Sequence, residues 1–360
     1  MALTTLEENL LARLDGIEDV PEAGKKRLIN SLRRTEKGNP VDYRSPLWDG
    51  KPRPKIQEIF DQYVPEAPFE NLASLDSKER DLVGPRSIIR PWSERYDDVM
   101  KYYSQNWNPD EGALNYAFDE VVSILTPHSV RMQNMQTSYE LMVKGTLLGL
   151  PLFTSDKSAA YAYLERAQEA NSVEDFYPAV VGTRGQQNGT DTPKNRIVWM
   201  YDHMETILGA TVMNPLLSAL RRVRGFSAWG TPRDTEVAIT RILGREGLKF
   251  SSDYSGFDTS PTYEFGMLIW SIIKHWLEPK AESRINMVAE AFLTLPIIVP
   301  FETIDGRRGG VPSGSVFTNL FDSVMNLFLG HYIAARNRCH LVDYEVMGDD
   351  SVFLFDTDLD

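Results

Sequence analysis

Residues 344–355 read "YEVMGDDSVFLF". Apolar residues flank Gly348, Asp349 and Asp350 on both sides, a pattern that predicts a β-hairpin with its acids between the strands. By itself Gly-Asp-Asp is also an ordinary turn sequence, because Gly accepts positive φ and Asp bonds its own backbone. The cost of the pair raises a second possibility. Adjacent carboxylates repel, and each raises the other's pKa unless a cation neutralises them. A cation site would need further acids brought in from elsewhere in the chain.

Upstream, "GLKFSSDYSGFD" (247–258) starts as a strand and turns at Ser255-Gly256, with Asp253 at the strand's end. If this strand adjoins the hairpin, Asp253 and Asp349 face a shared space, with Asp350 beside them. Mg²⁺ suits such an oxygen-rich site because it keeps several waters and leaves room for phosphates. Mn²⁺ accepts the same ligands. Two such ions, about 3.5–4 Å apart, would activate an attacking hydroxyl and stabilise a leaving pyrophosphate.

Between these acids lies "GGVPSGSVFTNLFDSVMN" (309–326). Gly309, Gly310 and Gly314 let the backbone bend and approach a ligand. Residues 316–337 read as a long helix, apolar around most of its circumference and therefore buried. Thr318, Asp322 and Asn326 follow at i, i+4 steps and share one face. This stripe either faces solvent or is buried with a partner; a ribose and its hydroxyls would serve. Elsewhere, 5–17 reads as a helix with Thr5 and Glu8 as a capping box. The Pro/Gly-rich stretch 37–55 reads as a surface strap. Residues 110–125 form a helix capped by Asp110. A long hairpin or flexible loop spans 180–200, and an apolar helix covers 263–277. A further hairpin is expected over 300–315, with Asp305-Gly306 as its turn.

These motifs, in this order, resemble those of viral RNA-dependent RNA polymerases. "SDYSGFD" is similar to the family's motif A, "GVPSGSVFTNLFDSVMN" to motif B and "VMGDD" to motif C. Supporting stretches are "VGPRSIIRP" (83–91), "TRGQ" (183–186), "PKNRIVWM" (193–200) and "GFSAWGTPRD" (225–234). The wording is most similar to polymerases of small double-stranded RNA viruses, picobirnaviruses first and partitiviruses second. The resemblance covers roughly 80–355.

It implies an α+β, right-hand fold with fingers and an antiparallel palm sheet flanked by helices. Residues 1–105 would strap onto the fingers, 106–245 would form the fingers, and 246–360 the palm, with 263–296 partly fingers. Asp253 and Asp349 would hold both metals, with Asp350 as an outer partner. Asp258 would read the sugar 2′-OH. Ser313 and Gly314 would form a mobile loop near the incoming base. Where many relatives carry Asn, this chain has Asp322, with Asn326 one turn on, so either could complete the ribose network. Asn326 or Thr318 is expected to bridge Asp258 and Asp322. Arg184, Lys194 and Arg196 would meet the triphosphate, although three cations in a polar hairpin are also what a solvated loop carries. Arg307 and Arg308 would touch nucleic acid. Arg221 and Arg222, with Arg224, are either a second backbone contact or a solvated helix face. RNA template and product, NTPs and a viral capsid protein are the implied partners, in the virion interior and the host cytoplasm. The resemblance also expects a thumb after motif C, and only ten residues follow Asp350. A thumbless fragment with an open apolar face beside 351–355 is therefore expected.

The composition is that of a soluble globular chain: 360 residues, 42% hydrophobic and 25% charged. The net charge of −13 disfavours a simple nucleic-acid coat while allowing a basic channel within an acidic shell. One cysteine, Cys339, excludes an internal disulfide framework. No apolar run approaches the ~20 residues that span a bilayer. Two rivals remain. A reverse transcriptase is disfavoured by Met347-Gly348 before the acids and by Asp258. A silent RNA-binding structural subunit is disfavoured by Asp253 and Asp349.

Overall fold

Long-range order begins with the periodicities just read. The computed structural model describes residues 22–38, 89–143, 160–186 and 194–359, with positions 58, 62 and 74. The expected helix 5–17, residues 39–55 of the strap, residues 83–88 of the first supporting stretch and the hairpin tip 187–193 lie outside the described residues, while Lys37, the strap's first residue, ends a helix instead. The described α-helices are α1 (Glu22–Lys37), α2 (Tyr96–Met100), α3 (Glu111–Val122), α4 (Met135–Val143), α5 (Ala160–Glu169), α6 (His203–Leu220), α7 (Pro232–Leu243), α8 (Tyr263–Trp276), α9 (Glu282–Thr294) and α10 (Thr318–Arg336). The strands are β1 (Ala179–Gln186), β2 (Lys194–Met200), β3 (Leu248–Phe250), β4 (Ile297–Ile298), β5 (Thr303–Ile304), β6 (Leu341–Met347) and β7 (Asp350–Phe355). None of the described helices is long and apolar enough to cross a membrane.

Local signals set many boundaries. Asp110 accepts a hydrogen bond from the Ala113 N–H at 2.8 Å and starts α3. Thr231 and Asp234 form a reciprocal capping box with Pro232 at the first turn of α7. Thr262 caps α8. Helix α10 buries an unbroken run from Leu320 to Phe328, as an apolar circumference demands. Its Phe317 and Phe321 surround Trp270 together with Phe292, with ring centroids 4.9–5.7 Å apart. These aromatics lie at the centre of one continuous core.

Two sheets position the site. One is four-stranded in the order β2-β1-β4-β5, with β1 antiparallel to β2 and parallel to β4. The other is antiparallel in the order β3-β7-β6. Two expectations fail here. Residues 300–315 do not pair across Asp305-Gly306. Instead β5 pairs back onto β4, and the chain beyond Ile304 runs as a loop drawn inward by buried Arg307. Nor do the described residues leave an open apolar face beside 351–355: β7 pairs with β6 along its length and with β3 at 353–355, and Phe353, Leu354 and Phe355 are fully buried. Strand alternation puts Phe353 against Gly330 of α10. Leu354 falls on the other face, in register with Asp343.

Asp343 anchors that second face. Its fully buried carboxylate accepts from Arg241 through two nitrogens at 3.0 Å, from Arg245 at 3.1 Å and from Arg224. Arg224, read as part of a basic cluster, is thereby tied to Asp343 while staying half in water. Burial would raise the Asp343 pKa, but these three guanidiniums outweigh it and hold the carboxyl below the ordinary range. The stabilisation is therefore present above the unfolded carboxylate pKa and lost as pH falls through the lower folded one. Asp343→Asn should cost about 2–3 kcal/mol, less than a fully buried pair because the arginines stay half in water. Urea unfolding at pH 7 checks this, and an unchanged midpoint would contradict it.

Candidate active site

The β6–β7 hairpin turns at Gly348 and Asp349, and Gly348 has φ +64°. Asp350 is already the first residue of β7. Side chains of α10 clamp this turn. Ser323 Oγ accepts from the Gly348 N–H at 2.8 Å. The Asn326 amide donates to the carbonyls of Gly348 and Asp349 at 3.0 and 2.9 Å. Tyr254 O–H in turn donates to Asn326 Oδ1 at 3.2 Å. Asn326 is fully buried and occupied in holding the acids, so it does not bridge Asp258 and Asp322 as expected. Tyr254 and Ser323 were not singled out from sequence, although each sits beside a residue that was.

Asp253, Asp349 and Asp350 are all exposed. Strand pairing of β3 ends at Phe250, three residues before Asp253. Continuing the Leu248↔Phe355, Phe250↔Phe353 register would set Asp253 opposite Asp350. Among the described residues no three His, Cys, Asp or Glu side chains close around a metal position. The donors nevertheless suit a hard divalent cation: carboxylate oxygens, exposed, on a turn rigidly held from behind.

Behind this turn lie two further acids. Asp258 accepts from Ser313 Oγ, and its own carbonyl accepts from the Val311 N–H at 2.6 Å. Burial pushes its pKa up, Ser313 opposes this, Asp349 adds to it and Arg196 lowers it. Asp322 is buried, with Oδ1 lacking a partner. Burial first, then Asp258 and Asp349, drive its pKa well up. Asp258, Asp322 and Asp349 thus lie within electrostatic reach of one another. The donor meeting Asp258 is Ser313, because Thr318 spends its hydroxyl on the carbonyls of Pro312 and Ser315 at 3.1 and 3.0 Å. Gly314, at φ +130°, packs against the Trp199 carbonyl.

Under this loop lies a group the sequence reading missed. Glu205 on α6 is fully buried and accepts from Ser315 Oγ at 2.7 Å. Burial pushes its pKa up to about 7, Ser315 opposing and Asp202 assisting. A raised folded pKa gives stability that is present below the unfolded value and lost as pH rises through the folded one. Relative to Glu205→Gln, the wild type should therefore lose about 3 kcal/mol between pH ~4.5 and ~7. Denaturant titrations of both proteins across that range check it; a constant difference would contradict it.

The basic residues separate into groups. Arg184 and Arg196 are exposed and directly opposite on β1 and β2. Like charges so placed repel, and Arg196 lies within reach of Asp258. Lys194 begins β2, in register with Gln186. Arg308 is exposed and stacks on Tyr263 at 4.2 Å. Arg221 and Arg222 are exposed at the end of α6. Arg307 is a correction. At 1% exposure it cannot meet nucleic acid, because its guanidinium is consumed by backbone carbonyls of the core. Arg90, at the end of the first supporting stretch, ties its backbone N–H to Asn195 on β2 at 2.7 Å and pairs with Asp98.

The profile of the family described as viral RNA-dependent RNA polymerase matches residues 79–360. A potential RNA-dependent RNA polymerase of human picobirnavirus is 25% identical over 372 residues, covering 94% of this chain and 66% of its own length. The RNA-directed RNA polymerase of Cryptosporidium parvum virus 1 is 25% identical over 308 residues, covering 78% of this chain and 56% of its own. The chain thus spans slightly under two thirds of the first relative and less of the second. The crystal structure of the RNA-dependent RNA polymerase of a human picobirnavirus shares the fold, with a TM-score of 0.71 at 24% identity over 91% of this chain and 66% of that one. With the matched profile extending over more than half of its length, the chain belongs to the viral RNA-dependent RNA polymerase family.

Proposed function

We propose that this chain carries the catalytic centre for RNA-templated RNA synthesis in a double-stranded RNA virus. A 3′-hydroxyl attacks the α-phosphate of an NTP and pyrophosphate leaves, with the protein supplying position and charge. The observation that carries the proposal is the clamped acid turn: exposed Asp349 held by Asn326 and Ser323, with Asp258 behind it and Arg196 in reach. Asp253 and Asp349, with Asp350 outside them, would hold two divalent cations, Mg²⁺ or Mn²⁺. When bound, these would supply hydroxyl activation and leaving-group stabilisation. Asp258, positioned by Ser313, reads the 2′-OH that separates RNA from DNA precursors. Asp322, whose Oδ1 has no partner among the described residues, is the better partner for the ribose, since Asn326's amide is occupied.

Arg184, Lys194 and Arg196 bind the triphosphate. The facing Arg184–Arg196 pair supports this, since an anion between two like charges relieves their repulsion. Arg196→Ala should raise KM for NTP about tenfold with kcat little changed, if the contact is equal in ground and transition states. Steady-state incorporation kinetics check this, and an unaltered KM would return the hairpin to a solvated loop. RNA, NTPs and a capsid protein are the proposed partners, and the virion interior and host cytoplasm the proposed locations. Primer extension by the natural full-length protein, with labelled NTPs and dNTPs on an RNA template, tests the whole. NTP incorporation is expected. Preference for dNTPs would indicate a reverse transcriptase, and neither substrate a silent structural subunit.

A further inference from the structure

We propose that Arg307 and Trp199 form a buried strut that positions Ser313, and through it Asp258, so that sugar choice depends on side chains that never touch the nucleotide. The inference rests on the polymerase reading above. Arg307 is a buried cation whose contacts among the described residues are carbonyls and rings rather than a carboxylate. Its guanidinium donates to the carbonyls of Phe292 at 2.6 Å, Gly309 at 2.8 Å, Gly310 at 3.3 Å and Leu295 at 3.4 Å, and to Tyr201 Oη at 3.5 Å. It lies over the Trp199 ring at 4.6 Å. A buried charge of this kind is expensive. Its cost is offset by the four carbonyls it satisfies, which an apolar side chain would leave without this donor.

What it joins is informative. Phe292 and Leu295 belong to the end of α9. Gly309 and Gly310 open the loop to Ser313. Trp199 and Tyr201 lie in and just after β2, which carries Arg196. The Trp199 backbone then holds the loop's far end, because its amide N–H donates to the Ser313 carbonyl at 2.8 Å and its carbonyl packs on Gly314, while the ring lies under Arg307. The loop's middle is tied to the Asp258 segment, from Val311 to Asp258 at 2.6 Å and from Gly310 to Pro261 at 2.8 Å. Ser313 Oγ completes the circuit at the Asp258 carboxylate. In this circuit the proposed triphosphate hairpin meets the proposed ribose-reading acid through Trp199 and Ser313, while Arg307 pins the start of the same loop and Tyr102 packs edge-on against the Trp199 ring. Lysine keeps the charge but has three donors on one nitrogen and cannot lie flat on the indole while reaching four carbonyls.

Single-nucleotide incorporation by the natural full-length protein tests the strut, with rNTP and dNTP compared for wild type, Arg307→Lys, Trp199→Phe and Trp276→Phe. Trp276 is a fully buried indole that donates to Val122 O at 2.9 Å, outside this circuit. It controls for lost packing. Arg307→Lys and Trp199→Phe should lower the rNTP-over-dNTP ratio of kcat/KM at least about tenfold, mainly by raising KM for rNTP, with kcat on rNTP within about twofold. Trp276→Phe should lower the melting temperature and leave the ratio unchanged. If Arg307→Lys does not fold, Trp199→Phe decides, because it weakens only the ring face under Arg307 and leaves the backbone bond to Ser313 in place. Variants that fold and discriminate as wild type does overturn the strut alone, and so does a Trp276→Phe protein whose ratio falls equally. A wild type that incorporates neither nucleotide overturns the polymerase reading and the strut with it.

Discussion

Asp349→Asn should fold as the wild type does and lose nucleotide incorporation by at least about 100-fold. Both halves of this expectation come from the turn. The Asp349 side chain is exposed, and what holds the turn is its backbone carbonyl, which accepts from Asn326 at 2.9 Å. Asn is as acceptable as Asp in such a turn. The substitution therefore changes the melting temperature little, as exposed replacements generally do. Chemically it removes a negative charge from the one place where Asp258 and Asp322 both sense it. A cation held there would lose an anionic oxygen. Loss of that charge should also let both neighbouring acids ionise at lower pH. Single-turnover incorporation at saturating NTP, alongside thermal unfolding, checks both halves. Activity within a few-fold of wild type would refute the assignment of Asp349, and a large loss of stability would show the residue to be structural instead.

Gly314→Ala should be the most damaging single-atom addition in the loop, costing about 3 kcal/mol or more and reducing rNTP incorporation further than the lost stability explains. At φ +130° an L-residue is strained, by about 1–3 kcal/mol. A Cβ would also overlap the Trp199 carbonyl oxygen, which is backbone of a paired strand and cannot rotate away. Relief requires the loop to lift from β2. That breaks the 2.8 Å bond from Trp199 N–H to the Ser313 carbonyl and carries Ser313 away from Asp258. Thermal melts give the first effect and KM for rNTP the second. A protein with unchanged stability would show that the loop has room the structure denies it.

The chemistry of this protein is legible in its local sequence to a definite depth. The hairpin at 344–355, the strand and turn at 247–258, the cap of α3 and the buried helix read over 316–337 follow from residue type and period. These depend on contacts within a few positions. The α+β class follows from them, and the order of the three acidic motifs identified the family. The division of labour among polar residues did not follow. Thr318, Asp322 and Asn326 share a face, yet Asn326 is bound to Gly348 and Asp349, Thr318 to its own loop, and Asp322 keeps an oxygen with no partner among the described residues. Arg307 and Arg308 are neighbours with the same charge, and one is buried under Trp199 while the other is exposed on Tyr263. Asp343, within a strand, collects three arginines that lie about a hundred or more residues away. Sequence alone determined the strands, turns and helices that carry the acidic motifs and, through their order, the family. The tertiary structure alone decided which donor met which acceptor, because a buried polar group must find a partner wherever the packed chain supplies one, and that supply comes from segments whose proximity no local pattern records.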